Sequence, residues 1–273
     1  MIQDIAPDRL ENAYRTIKPN DGDSAAVFDA DGRMLADVRD GEIRFPNGKQ
    51  LSLAGAVYLF AAGGKRYFLP PDGTACACEG FAYKSMRELR DAGHGTALFA
   101  AFTAYHLWRW YADNRFCGRC GAKTAPHARE RALQCAACGN VVYPRLNPAV
   151  IVGVIRGESL LITRYRTDYA HNALVAGFTE IGETLEETVR REVMEETGLK
   201  VKNIRYYKSQ PWGMAQDILM GFYCDADGDG EVRADGTELK YAAFVERREI
   251  VLQPNSLSLT NEMMKRFRDG MPC

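Results

Sequence analysis

The chain has 273 residues, room for about two domains of ordinary size. Hydrophobic residues make up 46% and charged residues 26%, a globular balance that excludes a fibrous or disordered chain. Lys and Arg total 35 against 36 Asp and Glu, so the net charge of -1 gives no global excess for gripping nucleic acid, although a local patch stays open.

Eight cysteines are too sparse for a small disulfide scaffold, so their spacing must carry their meaning. The first nine residues, Met1 to Arg9, hold acids where a signal peptide needs a basic and then an apolar segment. The most apolar run, Leu51 to Gly64, is too short to span a membrane and is closed by Lys65 and Arg66. A cytoplasmic, reducing setting is expected, in which close cysteine pairs suggest metal ligands before disulfides.

In chain order, residues 1–112 show no catalytic signature. Apolar runs at Ala25–Phe28, Leu51–Phe60 and Arg66–Leu69, parted by Gly, Pro and Asp, predict short strands. Leu98, Phe102, Tyr105 and Trp108 recur at helical intervals and predict a helix between Thr96 and Tyr111. Residues 113–145 are rich in Cys and Gly. From Asn147 the pattern turns strand-like over 149–155 and 160–163. A helix over about 184–197, strands at 204–208, 216–224 and 241–245, and a helix at 259–268 follow. The expected division is an N-terminal β-rich domain (1–112), a ribbon (113–145) and a catalytic domain (146–273).

Cys117-Gly-Arg-Cys120 and Cys135-Ala-Ala-Cys138 are two CxxC knuckles, each followed by a glycine, with fourteen residues between them. Each knuckle turns two thiolates toward one point, and four thiolates complete the tetrahedral shell of a structural zinc. No position is left for a water, so this zinc holds structure. A redox pair is disfavoured by the symmetry of the knuckles; the ligands alone do not exclude an iron–sulfur cluster. Arg115, Arg119, Lys123, Arg129, Arg131 and Arg145 surround the ribbon, with a solvated basic surface as the plainer reading. Cys76, Cys78, Cys224 and Cys273 read as inert thiols.

The segment Gly177 to Leu199 is the most informative. Thr184 with Glu187 forms a capping box that starts a helix, and Gly198 is its natural stop. Leu185, Val189 and Val193 form the buried stripe. Glu192, Glu195 and Glu196 fall on one flank at i, i+3 and i+4. Three carboxylates so placed repel one another and raise their own pKa values, which a hard divalent cation relieves. A solvated acidic face is the competing reading, weakly supported by Arg190 and Arg191 ahead of the acids. Farther on, Asp225-Ala-Asp227-Gly-Asp229-Gly230 starts like a calcium loop, but its twelfth position is Gly236 where such a loop needs Glu.

Gly177, Glu183, Arg191-Glu192-Val193, Glu195-Glu196 and Gly198-Leu199 match every fixed position of the Nudix box, and the segment resembles a Nudix hydrolase. With the four-cysteine ribbon ahead, the Tyr143-Pro144-Arg145 linker and Ser209-Gln210-Pro211-Trp212 ten residues past the box, residues 100–268 resemble the NADH pyrophosphatases (NAD diphosphatases) of that family. The resemblance implies an α+β chain: a Nudix α/β/α sandwich preceded by a zinc ribbon and a β-rich N-terminal domain. It implies Mg²⁺ or Mn²⁺ on Glu192, Glu195 and Glu196, with Arg191 orienting them and the Ala176 carbonyl and Glu238 as further ligands. Either Glu195 or Glu196 would be the general base. It places Phe178, Tyr143, Gln210, Pro211 and Trp212 at the substrate, with Glu130 and Thr260 as further contacts. Tyr143 would come from a partner subunit, and hence from a homodimer.

The implied reaction is hydrolysis of the pyrophosphate of NAD(H) to NMN(H) and AMP, with NAD-capped RNA as a further substrate. The chain departs from the family at Gly213-Met214-Ala215-Gln216-Asp217, where P-F-P-x-S is usual. Two stiffening prolines and an aromatic face are gone, and an acid, Asp217, stands near an anionic substrate. That keeps open a pyrophosphatase for ADP-ribose or another dinucleotide. A non-catalytic nucleotide- or RNA-binding regulator is the reading from another class.

Overall fold

The computed structural model describes residues 1–71, 73–74, 78–166 and 171–273. The chain divides into two compact units, Ile2–Arg145 with Gly213–Gln216, and Leu146–Trp212 with Asp217–Cys273 and Met1. No helix among the described residues is long and apolar enough to cross a membrane.

The first unit opens with short strands: β1 (Leu10–Glu11), β2 (Ser24–Ala25), β3 (Met34–Arg39), β4 (Glu42–Arg44), β5 (Val57–Ala62), β6 (Lys65–Leu69) and β7 (Ala82–Lys84). They form a sheet in the order β1-β5-β6-β2 and another in the order β4-β3-β7. Helix α1 (Met86–Ala92) starts at a Ser85–Glu88 capping box, and α2 (Gly95–Asp113) follows. The predicted helix at 96–111 is thus present, its buried side carried by Leu98, Phe102, Leu107 and Trp110. The sequence reading missed β1, β3, β4, β7 and α1. The ribbon strands β8 (Thr124–Pro126), β9 (Leu133–Cys135) and β10 (Val141–Val142) pair in the order β10-β9-β8.

The second unit is a six-stranded mixed sheet of β11 (Asn147–Arg156), β12 (Ser159–Tyr165), β13 (Val175–Phe178), β14 (Val201–Trp212), β15 (Asp217–Ala226) and β16 (Leu239–Glu246). The order is β14-β15-β11-β12-β16, with β13 also paired to β11 and β15 parallel to β11. Helix α3 (Leu185–Thr197) buries Val189 and Val193 against Val150, Val152, Val175 and Phe222 on one face. Helix α4 (Leu259–Arg268) buries Leu259, Met263, Met264 and Phe267 against Ile151, Leu160 and Tyr223 on the other. Long β-branched runs such as Ala149 to Ile155 follow from this, because a strand covered on both faces has no polar side to alternate with. The result is the α/β/α sandwich expected.

Candidate functional site

The two cysteine knuckles repeat one hydrogen-bond pattern. Cys117 N donates to Ala122 O and Gly121 N to Cys117 O, both at 2.8 Å. Cys135 N donates to Asn140 O and Gly139 N to Cys135 O, both at 2.9 Å. Gly121 and Gly139 take φ of 74° and 73°, the left-handed region that closes each turn. The sulfurs lie 3.6 Å apart for Cys117–Cys138 and 3.5 Å for Cys120–Cys135, and all four fall within 4.8 Å of one another. A tetrahedron of Zn–S bonds of about 2.3 Å sets sulfurs about 3.8 Å apart, so the quartet fits zinc and is too open for disulfides. The Arg119 amide, aimed at Cys117 Sγ from 3.4 Å, leads the effects that lower that thiol to about 6.

Of the other cysteines, Cys224 is buried, which pushes its thiol up to about 12. Cys78 is disulfide-bonded, unlike the inert thiol expected, and Cys76 lies outside the described residues. The basic ribbon residues do not act alike. Arg131 is turned inward: its Nη2 donates to Leu59 O at 2.6 Å and its guanidinium lies 6.0 Å from the Tyr14 ring. Arg145 donates to Gln216 Oε1 and faces Asp113 at 3.6 Å.

In the second unit, α3 begins as its sequence dictates. Glu187 N donates to Thr184 Oγ1 at 3.2 Å, and Thr184 N to the Glu187 carboxylate at 2.7 Å. Gly198, at φ 72°, ends the helix. Arg191 is the hub of the box. It donates to both oxygens of Glu183 (2.6 and 2.9 Å), to Glu192 Oε1 (2.8 Å), to Glu195 Oε2 (3.0 Å) and to the Phe178 carbonyl (2.9 Å). These bonds hold Glu183 down at about 2. They also close the loop before the helix onto the helix itself. A Cβ at Gly177 would lie 2.0 Å from Glu192 Cδ, so any side chain there must displace that carboxyl.

Glu196 differs from its neighbours. It is 4% exposed, and its carboxylate meets only the Tyr165 hydroxyl, at 3.4 and 3.5 Å, among the described residues. Burial, with the charges of Glu192, Glu238 and Asp235, pushes it up to about 8. Burial likewise raises Glu192, against the pull of Arg191. Among the described residues only the cysteine quartet draws its ligand atoms within 4.8 Å; the glutamates are spread around Arg191. Two of the carboxylates, Glu192 and Glu196, still suit a hard cation: burial raises both, and Glu196 has no basic partner among the described residues.

Two residues that position the candidate glutamates carried no motif. Tyr165, at the end of β12, accepts the Ala176 amide at 3.1 Å and orients Glu196. Asp235 accepts the backbone amides of Thr237, Glu238 and Leu239 at 3.1, 2.9 and 2.9 Å, fixing the turn that carries the exposed Glu238. The Asp-Gly-Thr turn chemistry was the available signal for the latter.

The sheet register places Phe178, Gln210, Trp212 and Asp217 on the α4 face. Pro211 points to the opposite face. Thr260 stands in the first turn of α4. Gln210 is fully buried, and its amide is spent on the chain entering α4: Nε2 donates to Leu257 O at 2.8 Å and Oε1 accepts from Leu259 N at 2.7 Å. Asp217 is 4% exposed, is hydrogen-bonded by Asn147, and keeps one buried oxygen without a partner; burial pushes it up to about 6. In the first unit, Tyr143 and Glu130 are brought together by a 3.0 Å hydrogen bond from the phenol, and the Tyr143 ring is exposed. Gly213 to Gln216 of the altered loop belong to that unit, and Asp217 to the second. A Cβ on Gly213 would fall 2.2 Å from Phe102 O, so no other residue fits there. In the calcium-like stretch, Asp225 is held by Arg205 and Asn203, and Asp227 by Lys202.

Residues 145–267 match the NUDIX domain, and residues 112–143 match the NADH pyrophosphatase zinc ribbon domain. A crystal structure of a NUDIX hydrolase from Nitrosomonas europaea superposes with a TM-score of 0.51 at 22% identity, covering 58% of this chain and 95% of the other. Residues 145–267 of the chain are therefore a Nudix domain. The ribbon that precedes it matches that of the NADH pyrophosphatases. Curated relatives named NAD-capped RNA hydrolase NudC include one from Enterobacter sp. (strain 638), 38% identical over 171 residues, 62% of this chain and 66% of the relative. Another, from Haemophilus influenzae (strain PittEE), is 42% identical over 135 residues, 48% of this chain and 51% of the relative. The match thus spans less than two thirds of these relatives' length.

Proposed function

We propose that the chain is a cytoplasmic, homodimeric pyrophosphate hydrolase that splits NAD(H) into NMN(H) and AMP and acts in the same way on NAD-capped RNA. The observation that carries this reading is the Nudix box folded around Arg191, with a buried, uncompensated Glu196 beside it. The ribbon type and the names of the relatives favour NAD(H) over other dinucleotides. Functionally the chain divides into an N-terminal part (1–112), a ribbon (113–145) and a catalytic part (146–273).

Glu192, Glu195, Glu196 and Glu238, with the Ala176 carbonyl, would hold Mg²⁺ or Mn²⁺, which lowers the pKa of bound water and neutralises phosphate charge. Arg191 fixes Glu192 and Glu195 through charge-assisted hydrogen bonds. Tyr165 holds Glu196 in place. Glu195 or Glu196 takes the proton of the attacking water, and AMP leaves. Phe178 and the partner subunit's Tyr143 would stack on the nicotinamide ring, with Glu130 steadying the phenol. Trp212, Pro211 and Thr260 complete the substrate wall, while Gln210 acts through the α4 entrance it fastens. Asp217, buried where the family carries Ser, favours a second reading, hydrolysis of ADP-ribose or another dinucleotide.

A substrate panel with Mn²⁺ tests the proposal: NADH, NAD⁺, ADP-ribose, diadenosine polyphosphates and NAD-capped RNA, with AMP release read by chromatography. NADH and NAD-capped RNA are expected to lead. A clear lead for ADP-ribose would install the second reading, and silence across the panel would remove the enzyme.

A further inference from the structure

The first unit contains an apolar cleft of about 430 Å³ that none of the chemistry above uses. Its lining includes Pro70, Pro71 and Trp108 of α2, with Arg115, Phe116 and Lys123 of the ribbon. Trp108 is held in place by stacking on Phe28, with ring centroids 4.8 Å apart and planes 22° apart. Phe116 is 58% exposed, a large aromatic ring left in water. Phe116 and Lys123 are antiparallel bridge partners that flank the first cysteine knuckle, so the metal-binding turn fixes ring and ammonium side by side.

Among the described residues, two cations and no acid line the cleft. The nearest acid on α2, Asp113, is engaged by Arg109 at 3.2 Å and by Arg145 at 3.6 Å. An apolar slot with a rigid indole, an exposed phenyl ring and two cations matches a ligand that alternates flat aromatic groups with anions. Sequence-tolerant binding of single-stranded nucleic acid has these parts: aromatic platforms for the bases and basic side chains for the backbone.

We propose that this cleft binds single-stranded RNA, a base entering between Pro71, Trp108 and Phe116 and a phosphate lying against Lys123 and Arg115. The choice of RNA over DNA rests on the proposed substrate; the cleft itself is argued independently of it. The structural zinc gains a second consequence, because it holds one wall of an RNA-binding surface.

The test uses the full zinc-loaded chain and a 3′-fluorescein single-stranded RNA of twelve nucleotides with a plain 5′ phosphate, followed by anisotropy. Phe116→Ser and Lys123→Glu should each weaken binding about ten-fold or more, and Lys123→Glu should flatten the dependence on salt. NADH hydrolysis and zinc content should stay at wild-type levels, and free AMP should displace the RNA poorly. Should Phe116→Ser lose zinc, the exposed Lys123→Glu carries the test alone. Unchanged RNA affinity in Lys123→Glu, or no binding by the wild type, overturns the inference. So does a dimer that falls apart in the variants, which would give the cleft to a second copy of the chain. RNA binding without any NADH hydrolysis would leave the cleft standing and remove the proposed activity.

Discussion

Gly177→Ala separates space from chemistry at the Nudix box. The added Cβ would lie 2.0 to 2.3 Å from the Glu192 carboxyl atoms. Ordinary contact begins near 3.4 Å, so that carboxyl must withdraw by about 1.4 Å. The moving part is the far end of a flexible side chain, so the fold should lose only about 1 kcal/mol, seen as a small fall in Tm. A displacement of about 1 Å in a catalytic group is worth roughly 100-fold in rate, so kcat for NADH should fall by that order with KM little changed. Glu192→Ala removes the clash along with the carboxylate. The double variant should therefore be no slower than Glu192→Ala alone, a non-additivity expected when two changes act through one atom group. A Gly177→Ala enzyme within three-fold of wild type, or a double variant that is slower by the product of both effects, would refute the reasoning.

Other outcomes follow from single contacts. Gly213→Ala sets a Cβ 2.2 Å from the Phe102 carbonyl, which is backbone and cannot yield, so stability should fall by about 1–3 kcal/mol in urea titration. Cys135→Ser should drop zinc from one per chain to near none by metal analysis and open residues 113–145 to protease, since ligand loss and ribbon folding are coupled. Burial raises Asp217 to about 6 in the folded chain, above the ordinary value of 3.8. Its penalty is therefore absent below about pH 4, grows between there and pH 6, and is complete above. Asp217→Asn should be more stable than wild type at pH 8 and equal to it at pH 3.5; the opposite order would show that the bond from Asn147 outweighs the cost of burial.

The most legible parts of the chain were those where one physical need dictates residue and spacing together. Helix α3 announces its start through the Thr184–Glu187 box and its end through Gly198, and both are made as read. The two knuckles with their glycines predict a sulfur tetrahedron. The strands 149–155 and 160–163 are long apolar runs because the sheet is covered on both faces. What was not legible depends on distant partners. Tyr165 reaches Glu196 from 31 positions away with no motif to mark it. Arg131 reads as one more basic ribbon residue, yet it is turned inward to the Leu59 carbonyl. Gln210 sits inside a binding signature while its amide fastens the entrance to α4. The departure at 213–217 looked like a change in substrate handling alone; Gly213 also answers to the backbone of α2.

The central claim is that the glutamates around Arg191 hydrolyse the pyrophosphate of NAD(H). The most direct measurement is AMP and NMNH released from NADH with Mn²⁺ by the wild type and by Glu196→Gln, each checked for folding by circular dichroism. The account predicts equimolar AMP and NMNH from the wild type and a loss of at least about 100-fold in a folded Glu196→Gln. Near-wild-type turnover in that variant, or a folded wild type that leaves NADH intact, would contradict it.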